Sequence, residues 1–99
     1  MKIEVIQDEV PFELGLEGRL DTNTAPELED YVGELYAREI NDIVVDMEKC
    51  EFVSSAGLRV IVAMQKHAAA GGTLVFRGVQ PDVMEVFSMT GFDKILTFE

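Results

Sequence analysis

The sequence has very little of several things that dedicated chemistry needs. In 99 residues there is one histidine, His67, one cysteine, Cys50, and no tryptophan. A lone cysteine cannot build a disulfide framework or supply the second thiol of a zinc pair, and it fits a reducing compartment, the cytoplasm. Cations are scarce: 8 lysines and arginines stand against 19 aspartates and glutamates, a formal net charge of −11. Nucleic-acid binding needs cations to displace counterions from phosphates, and attraction to an anionic membrane needs them too, so neither partner is expected. No apolar run approaches the roughly 20 residues that span a bilayer. The charged opening MKIEVIQDEV is not expected to be a signal peptide. No phosphate-cradling GxxxxGK[ST] pattern occurs, and no cluster has metal-ligand spacing, so neither cofactor nor metal is predicted.

What is present suits one domain over residues 1–99. A 47% share of hydrophobic residues can bury one core, but a chain this short has little room for a deep catalytic cleft beside it. KIEVIQ is rich in β-branched residues, and PFELGLE alternates Phe12, Leu14 and Leu16 against Glu13, Gly15 and Glu17. Only Asp8, Glu9 and Val10 separate the two, which predicts a hairpin. In TNTAPELEDYVGELYA, Thr24 and Glu27 have capping-box spacing, and Leu28, Tyr31, Val32, Leu35 and Tyr36 form an apolar stripe. DIVVDM reads as a strand covered on at least one face. A second helix is predicted from Ala56 to Ala70, ended by Gly71 and Gly72 as caps. TLVFRG is then a strand, PDVMEVFSMTG a helix and KILTF a closing strand. The order is β-β-α-β-α-β-α-β, an α/β fold with a mixed, mostly parallel sheet covered by helices.

An enzyme is not legible here. His67 falls in the last turn of the second helix, where an imidazole suits the helix dipole at the surface, and no nucleophile and acid accompany it. Cys50 is placed just past the third strand, flanked by Glu48 and Glu51, which disfavours a thiolate. Asp8–Glu9, Asp46 and Lys94 loosely imitate the acidic site of a phospho-receiver domain. Three residues between the first two strands cannot hold the crossover helix that such a domain requires, so that reading fails.

The remaining candidate is VSSAGL, residues 53–58. Serine before a helix commonly caps it by accepting a hydrogen bond from a backbone N–H. At 3.6 residues per turn, Gly57, Val60, Ile61, Met64 and Ala68 form the buried stripe, whereas Ser55, Arg59, Val62 and Lys66 line another face. That face starts at a hydroxyl and carries an apolar residue between two cations on an otherwise acidic protein. Phosphate on Ser55 would meet the favourable end of the helix dipole and would add about −1.5 to −2 charge beside a binding surface. The serine could serve as cap, as switch, or as both.

Three segments together resemble the STAS-domain family, in particular its bacterial anti-sigma factor antagonists: GRLDTNTAPELE, VVDMEKCEFVSSAGLRVIV and GGTLVFRGVQPDVMEVFSMTGFDKIL. The resemblance runs from residue 2 to the C-terminus. It implies the STAS fold and a partner-switching function without catalysis. Such a protein sequesters an anti-sigma factor that is also a serine kinase, and the sigma factor is released. Phosphorylation of a serine at the start of the second helix ends the complex, and a serine phosphatase restores it. The family motif, Asp-Ser-Ser/Thr-Gly-Leu, aligned on Gly57 and Leu58, puts Ser55 at the phosphorylated position, with Ser54 the alternative. It also places Asp21 beside that site. Asp21, Thr22, Ser54, Ser55, Arg59, Val62 and Lys66 are therefore the expected partner-binding residues. Two departures stand out: Ser54 replaces the family's aspartate, and Arg59 replaces a common glycine. The other readings are a STAS adaptor that is never phosphorylated and a STAS domain that binds a nucleotide or lipid.

Overall fold

Alternation along the second strand organises the molecule. In the computed structural model, which describes residues 1–99, the elements are β1 (Lys2–Gln7), β2 (Phe12–Leu20), α1 (Ala25–Ala37), β3 (Asp42–Val53), α2 (Ser55–Gly71), β4 (Thr73–Arg77), α3 (Pro81–Thr90), a 3₁₀ turn (Phe92–Lys94) and β5 (Thr97–Phe98). This is the predicted β-β-α-β-α-β-α-β order. One sheet holds all five strands in the order β1-β2-β3-β4-β5. The β1–β2 hairpin is antiparallel and every other pairing is parallel.

Because strand order follows chain order, right-handed crossovers lay the three helices on one face of the sheet. Phe12, Leu14, Leu16, Ile43, Val45, Met47, Leu74 and Phe76 are buried at period two along their strands. Leu28, Val32 and Leu35 of α1, Ile61 and Met64 of α2, and Val83 and Phe87 of α3 join them in one core. Each fully buried leucine or phenylalanine contributes about 1.5–3 kcal/mol, so this layer dominates stability. The intervening residues point the other way. There Arg77 bonds to the carboxylate of Glu13 and lies 3.5 Å from that of Asp46, which allows Glu13 to be buried with its charge matched.

Several local expectations need correction. Thr24 precedes α1 but makes no side-chain cap. Its hydroxyl instead donates to the Arg19 carbonyl at 2.7 Å and accepts from the Asp21 N–H at 2.8 Å, so no capping box with Glu27 forms. Gly71 is the last residue of α2, and Gly72 has extended backbone instead of a left-handed cap. Gly72 is required for space, since a Cβ there would lie 2.1 Å from the Asn41 carbonyl oxygen. The closing strand is only Thr97–Phe98, because Phe92–Lys94 tighten into the 3₁₀ turn. Cys50 lies inside β3, buried, and burial pushes its thiol pKa up. His67 is no free surface residue: its Nε2 is 2.8 Å from Asn41 Oδ1, and its ring stacks on Tyr36 with centroids 3.6 Å apart. It ties α2 to α1 and to the loop before β3.

Candidate functional site

The parallel strands β2 and β3 end together, and the chain leaves each toward a helix. Ser54 joins these ends by donating its N–H to the Leu20 carbonyl at 2.8 Å. Its extended backbone makes it the N-cap of α2, and its Oγ accepts from the Gly57 N–H at 3.2 Å. The Ser54 carbonyl also takes the first helical bond, from Leu58 N. The capping role read onto Ser55 therefore belongs to Ser54. Ser55 is the first helical residue, exposed, and its hydroxyl has no hydrogen bond within the chain.

Gly57 explains how closely the helix sits on the strand end. A Cβ there would lie 2.7 Å from Leu20 Cγ and 2.9 Å from the Leu20 carbonyl oxygen. Only hydrogen fits, so glycine fixes the position of the first turn and of Ser55 on it.

On the side of α2 away from the core, Ser55, Arg59, Val62 and Lys66 do come together. With Leu58, Ala63, Thr90 and Phe92 they line an open groove of about 490 Å³. One wall is α2, and the other is the end of α3 with the 3₁₀ turn. Arg59 and Lys66 are the only charged residues in it, and neither forms an ion pair. By contrast Lys2, Arg19, Arg38 and Arg77 each have an acidic partner within 4.0 Å. The groove thus offers two uncommitted cations around an apolar floor.

Asp21 and Thr22 stand outside the groove, in the loop after β2. The Asp21 carboxylate accepts the Asn23 N–H at 3.0 Å and the Thr24 N–H at 3.1 Å. The Thr24 amide holds its pKa below the ordinary carboxylate value, assisted by the Asn23 amide, the Thr24 hydroxyl and Arg19 against the effect of burial. Arg19 lies 4.0 Å from the Asp21 carboxylate and over the Phe52 ring, 4.1 Å from its centroid. This loop is a charged, ordered rim joined to α2 through the Leu20–Ser54 bond.

Sequence spacing could have added Leu58 and Ala63, which stand three residues beyond Ser55 and four beyond Arg59. Thr90 and Phe92 carry no such signal. They reach the groove by tertiary packing, Thr90 from the end of α3 and Phe92 from the 3₁₀ turn.

The sequence model of the family described as "Mlab, STAS domain" matches residues 4–97. A candidate anti-sigma factor antagonist of Bordetella bronchiseptica, BtrV, is 32% identical over 81 residues, which are 81% of this chain and 70% of that protein. The anti-sigma-B factor antagonist of Staphylococcus aureus is 27% identical over 97% of this chain and 90% of its own. SpoIIAA, an anti-sigma factor antagonist solved in its unphosphorylated form, superposes with a TM-score of 0.79 at 18% identity, covering 99% of this chain and 86% of that one. The phosphorylated form of SpoIIAA, from Bacillus, gives a TM-score of 0.72 at 16% identity, over 99% and 91%. The chain belongs to the STAS-domain family, within its anti-sigma factor antagonist group. Proteins of this group regulate by binding and are not enzymes.

Proposed function

We propose that residues 1–99 form one STAS domain acting in the cytoplasm as an anti-sigma factor antagonist that is switched off by phosphorylation of Ser55. In the unmodified form its α2 face and the Asp21–Thr22 rim hold an anti-sigma factor that is also a serine kinase, so the sigma factor is free. Phosphate on Ser55 breaks that contact, and a serine phosphatase reverses it. The observation that carries this reading is the division of labour between the two serines. Ser54 satisfies the helix end, which leaves the Ser55 hydroxyl exposed and unbonded at the head of the groove. A hydroxyl without a structural duty can be modified without unfolding the helix it starts. At this position the helix dipole also favours the added anion.

The test is site-mapped mass analysis of the protein from its native cell, comparing wild type with Ser55→Ala. One added phosphate on Ser55, absent from the variant, is the expected result. In binding assays Ser55→Asp should abolish capture of the anti-sigma factor, and Val62→Glu should weaken it at least tenfold. A protein unmodified under growth and stress alike would favour the constitutive adaptor, which also uses the groove. If neither substitution affects any partner while the fold stays intact, the groove is not the interface.

A further inference from the structure

Arg59 lies one helical turn beyond Ser55, at the i,i+4 spacing that brings side chains within about 5–6 Å at their Cβ atoms. Both residues are exposed and line the same groove, and Arg59 is not committed to any acid. We propose that Arg59 binds the phosphate of phosphorylated Ser55 in cis, drawing the guanidinium to the Ser55 end of the groove. This rests on the reading of Ser55 as the phosphorylation site and specifies what the phosphate does there.

Three features converge on it. A guanidinium presents paired N–H donors that match phosphate oxygens, which a point charge does not. Ser54 already takes the Gly57 N–H, so a phosphate on Ser55 need not disturb the cap and can also use the remaining free amides of the first turn. The other groove cation cannot compete. Lys66 is eleven residues beyond Ser55, about 16 Å along the helix at 1.5 Å per residue. Of the charges on neighbouring elements, Arg19 is drawn to Asp21 and Phe52, while Glu51 of β3 and Lys94 of the 3₁₀ turn are the same in every variant below.

The consequence is a change in what the groove presents. Unmodified, it carries two cations, which suit a partner segment with carboxylates around an apolar side chain. Phosphorylated, it carries about −1.5 to −2 in addition, and Arg59 is occupied. The partner meets both a new anion and a missing cation.

The experiment uses the full chain with phosphoserine placed at position 55 during translation, so no kinase is needed. Phosphorus NMR gives the second pKa of the phosphate, ordinarily about 6. An arginine contact favours the dianion, so Arg59→Gln should raise this pKa by about half a unit. Lys66→Gln should leave it at the wild-type value, and Arg59→Lys should fall between. An unchanged pKa in Arg59→Gln would overturn the assignment, as would an equal rise in Lys66→Gln. Because the phosphate is installed directly, failure here is separate from failure of Ser55 phosphorylation in the cell.

Discussion

Replacing the two serines one at a time separates what holds the helix from what is free to signal. Ser54→Ala removes the only side-chain acceptor for the Gly57 N–H and leaves that donor without its partner at the half-buried start of α2. Loss of a serine N-cap costs about 1 kcal/mol, within a range of roughly 0.5–2. For a domain of this size that corresponds to a fall in Tm of about 4–8 °C. Ser55→Ala removes a hydroxyl that bonds to nothing in the chain, at a position where alanine is the better helix former. Its expected effect is within about 0.5 kcal/mol of zero, with stabilisation as admissible as loss. Thermal unfolding followed by far-ultraviolet circular dichroism at fixed pH and salt reads both. Equal losses in the two variants, or a loss confined to Ser55→Ala, would mean that the capping assignment is wrong. Ser55 would then not be the free serine of the pair.

Two further perturbations test the frame around the site. Gly72→Ala forces a Cβ against the Asn41 carbonyl, which also accepts the Thr73 N–H at 3.0 Å. The expected loss is about 1–3 kcal/mol, read from the urea midpoint, since overpacking costs of that order; an unchanged midpoint would refute the close approach. Asp21→Asn keeps an acceptor oxygen and removes the charge. The folded-state pKa of Asp21 lies below its unfolded value of 3.8, so the stabilisation due to its charge is fully present above that value. It is lost as pH falls through the folded pKa. Wild type should be the more stable at neutral pH, and the two stability curves should converge below pH 3.8; a gap that persists or widens there would contradict the assignment.

Much of the fold could be read from periodicity because the sheet buries one face against helices. Phe12, Leu14 and Leu16 show period two, and Ile61, Met64 and Ala68 show the helical period, so the element types follow from spacing. The errors lie where local chemistry had competing outlets. Thr24 has the spacing of a capping box, but the Asp21 carboxylate takes the Asn23 and Thr24 amides and the Arg19 carbonyl takes the Thr24 hydroxyl. Gly72 reads as a helix cap, yet what demands glycine is an atom of Asn41, 31 positions earlier, and no local pattern records that distance. For KILTF, β-branched and aromatic content predicts a full strand. Only Thr97 and Phe98 find partners on β4, and Leu96 is buried with the core. The two walls of the groove differ in the same way. Its α2 wall follows from spacing, whereas Phe92 reaches it through tertiary packing.

The charge of the whole protein also constrains how a phosphate could act. A change from −11 to about −13 alters the net charge little, and at physiological salt exposed charges are screened beyond about 8 Å. A modification at Ser55 can therefore matter only through what lies near it. At helical spacing Arg59 is inside that radius and Lys66 is at about twice it. Under the proposed switch the groove becomes asymmetric, anionic at its Ser55 end, where one arginine only partly offsets the phosphate, and still cationic at its Lys66 end. A partner gripping only the Lys66 end would survive phosphorylation, so a complete switch requires contacts that span Ser55, Arg59 and Val62. Arg59 lines that groove one helical turn from the hydroxyl that the helix cap leaves free.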